Sequence, residues 1–130
     1  MADYLLDTNV LIFALRSNPK ALDFLEELER KRERSYISVV TRTEILAGMH
    51  PHEEERTMEL LDSLENIPVD EAIADRAGRL IYQYARQGIQ LSLPDALIAA
   101  TALHHDLILA TTNPKHFPSP ELQIYPLSFK

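Results

Sequence analysis

The 130-residue chain contains no cysteine, and it has no apolar run long enough to span a membrane. Without cysteine it can form neither a disulfide framework nor a thiolate metal site, which fits a reducing cytosol. Its first residues lack the charged region and the cleavage site of a secretory signal peptide. We therefore expect a soluble, cytoplasmic protein that makes no use of a membrane.

Positive charge is also scarce. The chain has 13 Lys and Arg against 20 Asp and Glu, a formal net charge of -7 at pH 7. Such a protein cannot coat a nucleic acid electrostatically over its whole surface, so any polyanion must be bound at a local patch. The composition, 45% hydrophobic and 25% charged, is typical of a globular domain. Because no repeat, low-complexity stretch or long linker divides the chain, we predict one domain over residues 1–130.

Short apolar strands alternate with helical patterns along the chain. The predicted strands cover residues 3–7, 36–39, 107–111 and, more weakly, 123–125. The predicted helices cover residues 10–15, 19–28, 41–49, 58–64, 73–84 and 94–103. This alternation predicts an α/β fold in which helices flank a central, mostly parallel, twisted sheet.

Three carboxylates interrupt apolar sequence, at Asp7, Glu44 and Asp95. An uncompensated buried charge is strongly disfavoured, so each of them requires a partner. Helix capping explains each one singly, since carboxylates are favoured at helix N-termini. Thr41 to Glu44 has the form of a capping box, Ser92 to Asp95 is a shorter-armed relative, and Asp7 suits an N-cap.

Capping does not explain the shared placement of these acids. In a parallel sheet, helices that directly follow strands start at the carboxyl edge, where open α/β sheets bind ligands. Asp7 and Glu44 meet that condition, and Asp95 is inferred to reach the same edge. Two charges about 5 Å apart at an effective dielectric constant of about 20 repel by roughly 3 kcal/mol. Either a proton or a cation must relieve that repulsion, and a site of oxygen ligands suits Mg²⁺ or Mn²⁺ rather than zinc.

Four segments, residues 6–12, 43–48, 94–102 and 109–117, resemble the motifs of the PIN domain. In order and spacing they are similar to the VapC-type ribonuclease toxins of type II toxin-antitoxin systems, and the resemblance covers essentially the whole chain. It implies a PIN-like three-layer sandwich and a metal-dependent endoribonuclease that hydrolyses RNA phosphodiester bonds with Mg²⁺ or Mn²⁺. It further implies a small antitoxin partner and a homodimer.

Carried over residue by residue, the resemblance implies specific roles. Asp7, Glu44 and Asp95 are the catalytic acids that bind the metal, and Thr8 and Thr111 support the acidic cluster. Asn113 occupies a fourth catalytic position, where many family members have an aspartate; an amide there contributes a dipole without a charge. Candidate RNA contacts are Arg42, Lys115 and His116, for which a solvated surface role is the competing explanation.

Other classes of protein remain open at this stage. A receiver-type signalling domain also uses carboxylates and Mg²⁺, but it expects an acid adjacent to Asp7. A phosphatase with an aspartyl nucleophile expects a second acid two residues later, where this chain has Asn9. A catalytically silent PIN-like binding module is the third alternative, and the intact acids argue against it.

Overall fold

Five strands and six α-helices make up the computed structural model, which describes residues 2–130. The strands are β1 (Asp3–Leu6), β2 (Arg34–Ser38), β3 (Glu65–Ile67), β4 (Ile108–Thr111) and β5 (Ile124–Pro126). The helices are α1 (Thr8–Leu15), α2 (Pro19–Arg30), α3 (Val39–Gly48), α4 (Glu54–Asp62), α5 (Glu71–Ala85) and α6 (Leu93–His104). Within residues 2–130, no helix is long and apolar enough to cross a membrane.

The strands form one sheet in the order β3-β2-β1-β4-β5. Every neighbouring pair is parallel, so the sheet, predicted as mostly parallel, is parallel throughout. Leu5 of β1 pairs with Tyr36 on one side and with Leu109 on the other. The strand order therefore reverses at β1, and the crevice beyond the carboxyl ends of β1 and β4 is the expected ligand site of such a sheet.

Hydrophobic side chains cover both faces of the sheet. Leu5 and Leu109 face the layer formed by α5 and α6, whereas Leu6, Ile37 and Ala110 face the layer that contains α1, α2 and α3. Neighbouring residues of β1 belong to different layers because side chains alternate across a strand. Helices thus cover the sheet on both sides, as all-parallel sheets require, and the predicted α/β sandwich is confirmed.

One local prediction was wrong, and one strand was not predicted. Helix α3 starts at Val39, where the Ser38 hydroxyl accepts a hydrogen bond from the Val40 amide at 3.0 Å, so Thr41 and Glu44 do not form a capping box. Strand β3 was not predicted, because its three residues are defined by pairing with β2 rather than by an apolar pattern. The predicted caps at Asp7 and Ser92 are confirmed, and Asn18 caps α2.

Candidate active site

Asp7 lies directly after the central strand and is only 6% exposed. One of its carboxylate oxygens, Oδ1, accepts a hydrogen bond from the Thr8 amide at 2.9 Å, which caps α1. The other, Oδ2, accepts one from the Thr111 hydroxyl at 2.7 Å, and Thr111 is the last residue of β4. The same side chain therefore caps a helix and joins the two strands at which the sheet order reverses.

Burial raises the pKa of the Asp7 carboxyl above its ordinary value. The hydrogen bonds from Thr111 and Thr8 act in the opposite direction without cancelling this effect, and the charges of Asp95 and Glu44 raise the pKa further. The fold thus holds a carboxylate where water cannot fully stabilise its charge and where other acids are near. A bound cation would reverse this balance by favouring the ionised form.

Thr8 connects Asp7 to the second predicted acid. Its hydroxyl donates to Glu44 Oε1 at 2.6 Å and lies 3.1 Å from the Thr41 hydroxyl. Since Thr8 has one hydroxyl proton and gives it to Glu44, Thr41 is the donor in the second bond. Glu44 is exposed in the middle of α3, and its carboxylate is held by the hydrogen bond from Thr8, the first residue of α1.

Thr111 connects Asp7 to the fourth predicted position in the same manner. Its hydroxyl donates to Asp7 and accepts a hydrogen bond from the backbone amide of Asn113 at 2.9 Å. The side-chain amino group of Asn113 lies 3.3 Å from the Thr112 hydroxyl. No group within residues 2–130 donates a hydrogen bond to the Asn113 side-chain oxygen, which leaves that oxygen available to a ligand.

Asp95 reaches this edge on the first turn of α6. The helix leads into β4, so it runs against the strand direction and begins at the carboxyl edge. Its Oδ2 atom lies 3.8 Å from Nδ1 of His116, which belongs to the short 3₁₀ turn Pro114–His116 that follows β4. The charge of Asp95 is near enough to Asp7 to raise the pKa of its carboxyl.

The three acids nevertheless do not form a closed ligand cluster. In the part of the chain that the structure describes, no three Asp, Glu or His side chains lie close enough together to hold one ion. Mg²⁺ keeps several of its waters and is commonly bound through only one or two carboxylates. Each Asp7 oxygen accepts one hydrogen bond and retains a free lone pair. The donor set therefore fits a hydrated Mg²⁺ or Mn²⁺ ion that reaches some of the acids through water.

The three predicted RNA contacts lie in different surroundings. The Arg42 guanidinium donates to Asp62 at 2.9 Å and to Asn66 at 3.1 Å, so it is engaged with α4 and β3, and its contact with RNA stays a prediction. Lys115 is exposed, and no carboxylate of residues 2–130 forms a salt bridge with it. His116 is exposed beside Asp95.

Sequence reasoning did not identify Thr41 as a member of the site. It is fully buried and donates its hydroxyl proton to Thr8, one turn of α3 before Glu44. The residue types of Thr41 and Glu44 and their spacing of three also suit a capping box. The hydrogen-bonding capacity of the threonine was therefore recognised, but its partner lies 33 positions away in sequence and depended on the pairing of β1 with β2.

An open groove of about 530 Å³ runs along the site on the side of Asn113. It lies between α1 and the C-terminal segment and is lined by Asn9, Ile12, Phe13, Arg16, Thr112, Asn113, Pro114, Leu127, Ser128, Phe129 and Lys130. Asn113 therefore opens onto this groove, whereas Asp7, Glu44 and Asp95 are not among its lining residues.

Comparison with known proteins gives a consistent family. The PIN domain model matches residues 4–120. Two relatives from Mycobacterium tuberculosis are Ribonuclease VapC10, 43% identical over 88% of this chain and 85% of that protein, and Ribonuclease VapC19, 37% identical over 92% and 96%. VapBC2 from Rickettsia felis, solved bound to a DNA fragment from its promoter, is 25% identical with a TM-score of 0.86 and covers 97% of this chain and 99% of the solved one. The chain belongs to the PIN domain family, among relatives named VapC ribonucleases.

Proposed function

We propose that the protein is a metal-dependent endoribonuclease and the toxin of a type II toxin-antitoxin system. The observation that carries this proposal is the hydrogen-bonded network around the buried Asp7. The Thr111 hydroxyl links Asp7 to β4, the Thr8 backbone amide donates to Asp7, and the Thr8 hydroxyl donates to Glu44. A buried carboxylate whose pKa is raised by burial and by neighbouring acids is a candidate functional group on physical grounds. The ribonuclease names of VapC10 and VapC19 support the same activity.

Asp7 would hold a Mg²⁺ or Mn²⁺ ion, with Glu44 and Asp95 contacting it directly or through water. When bound, such an ion offsets phosphate charge, lowers the pKa of a bound water and stabilises the departing oxyanion. Thr8 and Thr111 keep the Asp7 carboxylate in one orientation, because each donates to a different oxygen. This fixed orientation provides the preorganisation that a catalytic site requires.

The more exposed acids have a different task in the proposed reaction. Glu44 or Asp95 accepts the proton of the water that attacks the phosphorus in line, since both stand closer to solvent than Asp7. The free side-chain oxygen of Asn113 orients water or substrate, and the exposed Lys115 and His116 contact the RNA backbone. The hydrolysis yields two RNA fragments and needs no covalent enzyme intermediate.

RNA is assigned as the substrate on the strength of the relatives. This chemistry does not use the ribose 2′-hydroxyl as the nucleophile, so the acids by themselves do not separate RNA from DNA. VapC10 and VapC19 are both named ribonucleases.

An antitoxin partner follows from the structural relatives, since the Rickettsia felis structure is of VapBC2. We propose that a small antitoxin binds the apolar groove of about 310 Å³ between α1, α2 and α4, where Leu22 is 44% exposed. On α2 and α4, Leu28 and Leu61 are buried in the core, whereas Leu25 and Leu60 line this groove. A homodimer is a further part of the proposal.

The proposed activity is tested by incubating the purified protein with a mixed RNA pool and Mg²⁺ or Mn²⁺. We expect endonucleolytic products that disappear with a chelator and with Asp7→Asn. Asp106→Asn is the matched control, because Asp106 lies just beyond the far end of α6 at φ 55, a backbone conformation that asparagine tolerates. Full activity of purified Asp7→Asn would overturn the proposal, and equal loss in the control would attribute the effect to charge alone.

A further inference from the structure

Residues 76–94 form a basic stretch in an acidic protein. They contain three arginines, Arg76, Arg79 and Arg86, and no aspartate or glutamate, whereas the whole chain carries a net charge of -7. All three arginines are exposed. This part of the surface is therefore a local basic patch of the kind that the overall charge had left open.

Arg79, Tyr82 and Arg86 lie on one face of α5, since their spacing of three and four residues repeats once per helical turn. Tyr82 is 64% exposed, although tyrosines are usually at least half-buried. The Arg86 guanidinium carbon lies 5.4 Å from the centre of its ring, and Arg86 Nη1 donates to its hydroxyl at 3.1 Å. With Gln83 and Gln87 these residues line one shallow concavity, which we name the α5 strip.

No carboxylate of residues 2–130 lies within salt-bridge distance of Arg79 or Arg86. Elsewhere Arg30 pairs with Glu27, and Arg42 pairs with Asp62. Within residues 2–130 the arginines of the strip are therefore not engaged in salt bridges, and the side-chain amides of Gln83 and Gln87 beside them can donate to a ligand as well.

A connection of seven residues joins the strip to the helix that carries Asp95. Helices α5 and α6 pack against each other in one core, and residues 86–92 run from the end of α5 to the start of α6. Arg79 and Arg86 are seven residues apart on α5, or about 10 Å at 1.5 Å per residue. One extended RNA strand is therefore long enough to contact both arginines.

We propose that the α5 strip binds the backbone of the RNA substrate away from the cleaved bond and that an unpaired base stacks on Tyr82. This inference rests on the proposed ribonuclease function. Arginine with an exposed aromatic ring is the combination used for single-stranded RNA, because the cation contacts phosphate and the ring contacts a base. A second copy of the chain is a poorer occupant, since a symmetric contact would bring arginines without acids against each other.

The test measures RNA binding separately from cleavage. A fluorescent, largely unpaired RNA is titrated with protein in the presence of a chelator, and anisotropy is recorded at several salt concentrations. For the double variant Arg79→Gln with Arg86→Gln we expect about tenfold weaker binding and a salt slope lower by about 1.4, because two phosphate contacts are lost on a single strand. The control variant, Arg30→Gln with Lys31→Gln, removes the same charge from side chains that pair with Glu27 and should bind as the wild type does.

Tyr82 gives an independent arm of the test. Tyr82→Ala should bind about fivefold more weakly with an unchanged salt slope, and Tyr82→Phe, which keeps the ring, should restore binding. In cleavage assays with Mg²⁺ or Mn²⁺, the double arginine variant should raise KM and leave kcat unchanged, because uniform binding is lost.

Three results would overturn the inference and are distinguishable from failure of the proposed function. The double arginine variant could bind RNA with wild-type affinity and slope, the control variant could weaken binding equally, or sedimentation could show that the strip variants alter only self-association. In each case a wild-type protein that still cleaves RNA retains the proposed function. A wild-type protein that neither binds nor cleaves RNA would overturn both.

Discussion

The site has a buried inner half and an exposed outer half, and the two are built differently. The inner half comprises Asp7, Thr8, Thr41 and Thr111, none of them more than 9% exposed. The outer half comprises Glu44, Asp95, Asn113 and His116, all partly or fully exposed. Inner side chains bond to one another across three elements of the fold, whereas the outer ones have few protein partners.

The buried side chains fix the position of the Asp7 carboxylate, whereas the exposed side chains remain available to ligands. Every inner hydroxyl has a partner, and within residues 2–130 no buried side-chain nitrogen or oxygen lacks a hydrogen bond. Such a network holds a single geometry but leaves little room for adjustment. The outer side chains retain the free lone pairs that can meet a cation, water or RNA. We therefore expect inner substitutions to change stability and activity together, and outer ones to change activity alone.

The largest expected effect is that of Asp7→Asn, which should lower kcat/KM for RNA by about 1000-fold or more, since several kcal/mol of charge stabilisation are lost. Because burial disfavours the ionised carboxylate, the variant should at the same time be as stable as the wild type or more stable in a chelator. Thermal unfolding and single-turnover cleavage measure the two quantities. A clear decrease in Tm would mean that the ionised carboxylate stabilises the fold, which would contradict the cost of burying its charge.

Glu44→Gln and Asp95→Asn should each lower kcat/KM by about 100-fold while changing the free energy of unfolding by no more than about 0.5 kcal/mol, as expected of accessible side chains. In Glu44→Gln the new amide oxygen can still accept the hydrogen bond from Thr8, so the loss reports on charge. Urea denaturation beside the cleavage assay checks both values. Unfolding at markedly lower urea would show that the outer half also supports the fold.

Thr111→Val should lower activity by about tenfold and stability by about 1–3 kcal/mol, because it leaves both an Asp7 oxygen and the Asn113 amide without a partner. Thr111→Ser keeps the hydroxyl and should recover most of both. Thr112→Val, one position along in a half-buried setting, is the matched control for which a small effect is expected. Equal destabilisation by Thr112→Val would indicate that the loop, rather than the inner hydroxyl, is sensitive.

The smallest expected effect is on the pH dependence of stability. The pKa of Asp7 is raised above 3.8, so the folded state binds its proton more tightly than the unfolded state. The contribution of Asp7 to the free energy of unfolding therefore falls as pH rises from 3.8 through the raised pKa, and it stays low above that value. Denaturation in a chelator from about pH 4 to about pH 8 should give an Asp7→Asn stability advantage that grows over this window. A constant difference would contradict the raised pKa.

The fold and the residues of the site were predictable to different degrees. The α/β class, the parallel sheet and most helices followed from apolar periodicity, and the caps at Asp7 and Ser92 followed from residue type. The start of α3 did not, because two residues, Ser38 and Thr41, both suited a cap and only the extended backbone at Ser38 distinguished them. Strand β3 was missed since its pairing, and not its composition, defines it.

The sequence by itself determined which residues carry chemistry: acids set in apolar runs, threonines beside them, and an amide after the last strand of the predicted core. Only the tertiary structure decided which of these residues hydrogen bond to one another and which remain accessible. Pairing of β1 with β2 and β4 brings Thr41 and Thr111 to Thr8 and Asp7, over separations of 33 and 104 residues. Burial depends on such long-range packing rather than on local sequence pattern. The packing therefore buries Asp7 within the hydrogen-bonded network and leaves Glu44 and Asp95 accessible at the edge of that network.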